Sequence, residues 1–155
     1  MDANQALTEL LEGRLEPGVY QWRTAPVPGA IGDTSWVGRA EEAGFRAFHL
    51  DGRNARDKDE FLRLCADVFE IPGERPDDWD ALGGKLADLS WAPAKSGYVV
   101  LYESWSELAD HDQPSLRAVL DVFAGAVKAW RETSTPMTVL MSSVGVEVAG
   151  VPRLA

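Results

Sequence analysis

Apolar residues recur along this chain at two spacings, and the alternation between them predicts an α/β fold. Residues 5–13 (QALTELLEG) read as a short helix with Leu7, Leu10 and Leu11 on one side. Gly18–Trp22 alternates and reads as a short strand after the Pro17-Gly18 break. Residues 25–32, with Pro26, Pro28, Gly29 and Gly32, read as loop. Asp33 or Thr34 then N-caps a short helix that runs through Ala43 and stops at Gly44. Phe45–Leu50 is a strand ended by Asp51-Gly52. Asp57–Phe69 is the clearest helix, because Phe61, Leu62, Leu64, Cys65, Val68 and Phe69 make one broad apolar face. Pro72-Gly73 breaks it, and another helix runs from about Asp78 to Leu89 on a stripe of Trp79, Leu82, Leu86 and Leu89.

The second half continues in the same way. Tyr98–Tyr102 (YVVLY) is a nearly continuous apolar run, which suits a strand buried on both faces. Pro114 stands at a helix start, and Leu116, Val119, Leu120, Phe123, Val127 and Trp130 keep helical spacing after it. Met137–Met141 is another buried-type strand. Residues 142–155 read as tail, in which Val144–Val148 alternates as an edge-strand candidate. The order is therefore α-β-α-β-α-α-β-α-β, and strands joined through helices imply a parallel sheet. A length of 155 residues favours one domain, and 45% hydrophobic residues supply its core.

Charge narrows the range of partners. The net charge is −10, from 25 acidic residues against 15 Lys and Arg. Phosphate repels such a surface, so nucleic acid is not an expected partner. Cys65 is the single cysteine, which precludes an intrachain disulfide. The first residues carry no basic, apolar signal pattern, and no run of about 18 apolar residues occurs, so a cytoplasmic location and no membrane contact are expected.

Enzyme chemistry finds little support. His49 lies in a strand and His111 in a polar loop, and no HExxH, CxxC, GxSxG, GxGxxG or P-loop pattern is present. Cys65 falls on the apolar stripe of its helix, the setting of an inert buried thiol. No catalytic residue, metal or cofactor is expected. Gly83-Gly84 interrupts a predicted helix, where each Gly costs about 1 kcal/mol relative to Ala. Such a pair calls for close approach of another backbone, a local bend, or the loss of a side chain from that face.

The strongest signal is the acidic cluster ahead of and within that helix. Between Arg63 and Lys85 stand Asp67, Glu70, Glu74, Asp77, Asp78 and Asp80, with Arg75 as the one base. Asp77 or Asp78 can cap the helix, and acids in a first turn are stabilised by its dipole. Asp80 is rotated off the anchored stripe and is available to a partner.

Trp79-Asp80-Ala81-Leu82 followed by Leu89-Ser90-Trp91, after an acidic loop and an amphipathic helix, resembles the barstar family of ribonuclease inhibitors. Phe45–Gly52, Asp57–Phe69, Gly97–Glu103, Val119–Phe123 and Met137–Ser142 are similar to its elements in the same order. The resemblance implies a two-layer fold over residues 45–142, with a parallel sheet of three strands in order 1-2-3 packed on helices. Residues 1–44 become an N-terminal helix/strand/helix extension, and residues 143–155 a C-terminal tail. It also implies a monomer when free that plugs a basic secreted ribonuclease or nuclease toxin with its acidic loop and helix. The alternative is a binding module of the same fold whose partner is not a ribonuclease.

The partner-binding positions that the resemblance implies are Glu74, Arg75, Asp77, Asp78, Trp79, Asp80, Gly84 and Asp88. Asp80 matches the first of two inhibitory aspartates, and Asp78 stands where Asn is usual. Gly84 falls at the second aspartate, so that carboxylate is missing. Glu74 and Arg75 replace aromatic residues, Pro76 replaces a loop glycine, and Gly125 stands where a contacting Glu is frequent.

Overall fold

A computed structural model describes residues 8–21, 35–142 and 151–152. The elements are α1 (helical over 8–11), β1 (Val19–Gln21), α2 (Ser35–Glu42), β2 (Phe45–Asp51), α3 (Lys58–Val68), α4 (Trp79–Asp88), β3 (Gly97–Glu103), α5 (Ser106–His111), α6 (Gln113–Trp130) and β4 (Met137–Ser142). The expected strands and long helices therefore stand where the apolar spacing put them. Trp22, the loop at 25–32, the Asp33 or Thr34 cap and the Val144–Val148 strand candidate lie outside the described residues.

The sheet corrects the three-strand expectation. It has four parallel strands in order β1-β4-β3-β2. The three expected strands, β2, β3 and β4, keep their sequential order, and β1 of the extension joins on the far side of β4 through Val19↔Val139 and Gln21↔Met141. The physical reason is the composition of β4, whose Met137–Met141 are all buried. So apolar a strand is ill suited to an edge, where unpaired backbone groups face water. Residues 151–152 return to the same place, with Gln21 N–H donating to the Pro152 carbonyl at 2.8 Å.

The period-2 alternation of the strands divides the core between the two faces of the sheet. Phe48, Leu50, Tyr98, Val100, Tyr102, Val139 and Met141 pack against α3–α6. Val99, Leu101 and Leu140 face the other way, where Leu10 and the half-buried Leu11, Leu15 and Tyr20 cover them. The extension thus closes a face that would otherwise expose three large aliphatic side chains.

A further correction concerns the polar loop read at Asp110–Gln113: Asp110 and His111 end α5, with the His111 ring Nδ1 2.9 Å from the Glu107 carbonyl, and Gln113 begins α6. Leu108 is the one buried residue of α5, too little to make a helical period. Asp112 separates α5 from α6 by accepting hydrogen bonds from the Ser115 hydroxyl at 2.6 Å and its N–H at 3.3 Å. Gly44 ends α2 as expected, at φ +89°, and its carbonyl accepts from Lys95 and Ser96 N–H. Cys65 is fully buried, and burial raises its thiol well above the ordinary range, which leaves it unreactive.

Candidate functional site

α3 ends at Val68, ahead of the Pro72-Gly73 break. Glu70 takes a left-handed conformation at φ 52°, and Ile71 N–H closes back on the Ala66 carbonyl at 3.1 Å, so α3 ends in a hydrogen-bonded turn. Pro76 is buried and pins the loop, while Glu74, Arg75 and Asp77 on either side of it are exposed. Asp78 is the N-cap of α4: its carboxylate accepts from Ala81 N–H at 2.7 Å.

Behind this surface α4 is held from several directions. Leu82 and Leu86 are fully buried, and Leu89 ends the helix in a left-handed cap. Trp79 is half-buried, with its ring 5.9 Å from Phe61 and Lys58 Nζ 5.9 Å from its centroid. The indole N–H of Trp130 donates to the Leu86 carbonyl at 2.8 Å, and that of Trp91 to the Phe69 carbonyl at 2.8 Å. One bond ties α6 to α4 and the other ties the end of α4 to the end of α3.

Of the sequence-derived positions, Glu74, Arg75, Asp77, Asp78, Asp80, Gly84 and Asp88 are exposed, and Trp79 is the half-buried anchor among them. Asp88 accepts from the Ser90 hydroxyl at 3.2 Å. Among the described residues, Glu74, Asp77, Asp78 and Asp80 join no ion pair. Such a run of carboxylates, on a loop and the start of a helix backed by the core, is suited to receiving Arg, Lys or protonated His.

Gly83 and Gly84 do not bring another backbone close. A Cβ built at either meets no atom within 4 Å, and α4 runs unbroken from Trp79 to Asp88. Of the three explanations open from sequence, the absence of a side chain on that face remains. Gly84→Ala is therefore expected to stabilise the protein by about 1 kcal/mol, read from the urea midpoint. A destabilised variant would mean that the glycine serves the fold.

Sequence reasoning overlooked Asp121 and Val122 of α6. They line a groove of about 410 Å³ with Trp79, Asp80, Gly83 and Gly125, between α4 and α6. The available signal was Asp121 at i−4 from Gly125, on the side of α6 away from its buried stripe.

A second polar cluster lies at the C-terminal ends of β2 and β3. His49 Nε2 is 3.1 Å from Glu103 Oε1, and Asp51 is clasped by Arg53 with Nε–Oδ1 at 2.9 Å. The Glu103 hydrogen bond is the largest cause raising the His49 pKa above its usual value, while Arg53 holds the Asp51 carboxyl below the carboxylate range. A raised histidine stabilises the fold below its unfolded value, near ~6.5, and that contribution is lost as pH rises through the folded value. Denaturation midpoints are expected to fall as pH rises through this window, and Glu103→Gln is expected to flatten the slope. An unchanged slope in the variant would assign it to other groups.

Among the described residues no group of three His, Cys, Asp or Glu is placed to hold a metal, and no helix is long and apolar enough to cross a membrane. Residues 45–142, more than half of the chain, match the family model described as Barstar (barnase inhibitor). No curated protein matches the chain.

Proposed function

We propose that this chain, which belongs to the barstar family, is a protein inhibitor that binds and blocks a basic ribonuclease or related nuclease toxin. The contact is the loop and helix at residues 74–88, with Glu74, Asp77, Asp78 and Asp80 as its charge, Trp79 as its anchor, and Arg75, Gly84 and Asp88 at its margins. One observation carries this reading: four exposed carboxylates, which join no ion pair among the described residues, sit on a segment fixed from behind by Leu82, Leu86 and Trp79. A ribonuclease site that binds RNA phosphate presents cations, and rigid carboxylates occupy the same positions without being cleaved. Binding then excludes substrate by charge and by volume, and the opposed fields speed encounter.

The second reading keeps the fold and surface but gives them a partner that is not a ribonuclease. The open space at Gly84 and Gly125, where the family resemblance places carboxylates, favours it. Immobilised protein incubated with extract from its own cells and their medium separates the two. The first reading expects a captured basic protein that hydrolyses RNA once released and is inhibited when the chain is added back. It also expects capture to weaken steeply as salt shortens the screening length from about 10 Å at 0.1 M to about 3 Å at 1 M. A captured partner without nuclease activity would sink the first reading in favour of the second.

A further inference from the structure

The partner-binding segment runs between Phe69 and Trp91, and backbone strain marks both of its ends. Glu70 and Leu89 are not glycines, yet both take left-handed conformations, at φ 52° and φ 46°. L side chains enter that region at a cost in energy and stay there only where the surroundings enforce it. The neck of the segment is closed by one hydrogen bond across 22 positions, from the indole N–H of Trp91 to the Phe69 carbonyl at 2.8 Å. Each side of the neck is fixed to the sheet. The Phe69 ring is fully buried 4.5 Å from that of Phe48 in β2, and the Ala92 carbonyl accepts from the Tyr98 hydroxyl of β3 at 2.8 Å. Just inside the neck, Ile71 N–H bonds to the Ala66 carbonyl, and Arg46 Nη2 lies 3.7 Å from the Glu70 carboxylate.

We propose that Trp91 is a positioning residue for partner binding: its indole N–H latches the neck, so that residues 70–89 hold their binding shape before a partner arrives. The proposal rests on the reading that this segment faces the partner. Phe69 is the C-cap of α3, so its carbonyl stands among those that no helical N–H satisfies, and the indole takes that place. Without the indole, the carbonyl turns to water and the left-handed turn at Glu70 loses its restraint. The loop at 71–77 is then free to take other shapes. Each partner encounter carries the entropy of ordering it again, which a preformed segment has already lost. Trp91 is half-buried and lies outside the exposed positions at 74–88, so its effect passes through Phe69 and Glu70.

Amide hydrogen exchange in the full chain, followed by NMR, tests the latch without a partner. Trp91→Phe keeps a ring and loses the N–H. A second variant carries β-(3-benzothienyl)alanine at position 91, which keeps the indole shape with sulfur in place of the N–H. In both, Ile71 N–H is expected to exchange about tenfold faster, the upper end of what one hydrogen bond contributes. The control is Val139→Ala, which thins the buried core on β4 without removing a hydrogen bond. It should lower the denaturation midpoint and leave Ile71 exchange as it is. The binding probe is the partner captured from extract and medium. Its dissociation constant is expected to rise about tenfold for both Trp91 variants. For Val139→Ala it should stay within about twofold of wild type, the scatter of distant, independent sites. Unchanged Ile71 exchange would overturn the latch even if affinity fell, because the indole would then be a direct contact. Faster exchange with unaltered affinity would overturn its part in positioning. An equal loss of affinity in Val139→Ala would assign the effect to general stability and overturn it too. A captured partner without nuclease activity would sink the functional reading, and the same affinities would still decide the latch.

Discussion

Replacing Phe61 with alanine is expected to remove about 3–5 kcal/mol of folding stability, the range for a large aromatic deleted from a core. Phe61 is fully buried, and its ring meets Tyr102 at 5.3 Å, Trp79 at 5.9 Å and Phe123 at 6.4 Å. Those contacts join α3 to β3, α4 and α6, so a cavity there has few ways to collapse. The loss is a large share of the ~5–15 kcal/mol that holds a domain together. It also reaches the surface, because Trp79 loses the ring behind it and α4 loses part of its backing. Chemical denaturation measures the first effect and amide exchange along α4 the second. A change no larger than the ~0.5 kcal/mol of an ordinary surface substitution would mean that Phe61 is not the keystone of this cluster.

The elements around that cluster were legible because each announces itself locally. Asp57 caps α3 by accepting from Glu60 N–H at 2.9 Å, and Asp78 caps α4 in the same way, both at positions where an acid precedes an apolar stripe. The runs at Tyr98–Tyr102 and Met137–Met141 marked strands covered on both faces, as found. What could not be read was the pairing of distant segments. Val19–Gln21 is three residues long, and nothing in it names Val139 as its neighbour. The buried character of β4 did carry the information that a neighbour was needed on each side, and the three-strand expectation left one side open.

The surface was legible to a similar depth. Exposure of Asp80 follows from helical rotation relative to Leu82 and Leu86, which the spacing supplies, while Asp77 and Asp78 precede the helix. The groove does not follow, because it exists only where two helices meet. Asp121 and Asp80 are 41 positions apart, counted as 121 − 80. They come together because Trp130 bonds to Leu86 and fixes α6 against α4. Gly83 and Gly84 looked from sequence like a defect in a helix, and the structure makes them a feature of its outer face.

The combined substitution Asp77→Ala and Asp80→Ala should weaken binding of the captured partner by at least ~100-fold, if each carboxylate accepts hydrogen bonds from a cation worth about 1.5–3 kcal/mol. Both residues are exposed and pair with nothing among the described residues, so the denaturation midpoint should stay near the wild-type value. That separation is why Asp78 is left out of the variant. Its carboxylate caps α4, and Asp78→Ala is expected to cost about 1 kcal/mol of stability, mixing a folding effect into the affinity. The loss should fall mainly in the dissociation rate if the two carboxylates sit in a desolvated contact. If they act only through the long-range field, it should fall in the association rate and fade as salt rises. Stopped-flow binding at two salt concentrations resolves the two cases. Unchanged affinity at low salt would move the partner off α4 altogether, since these are the carboxylates that the helix presents most freely.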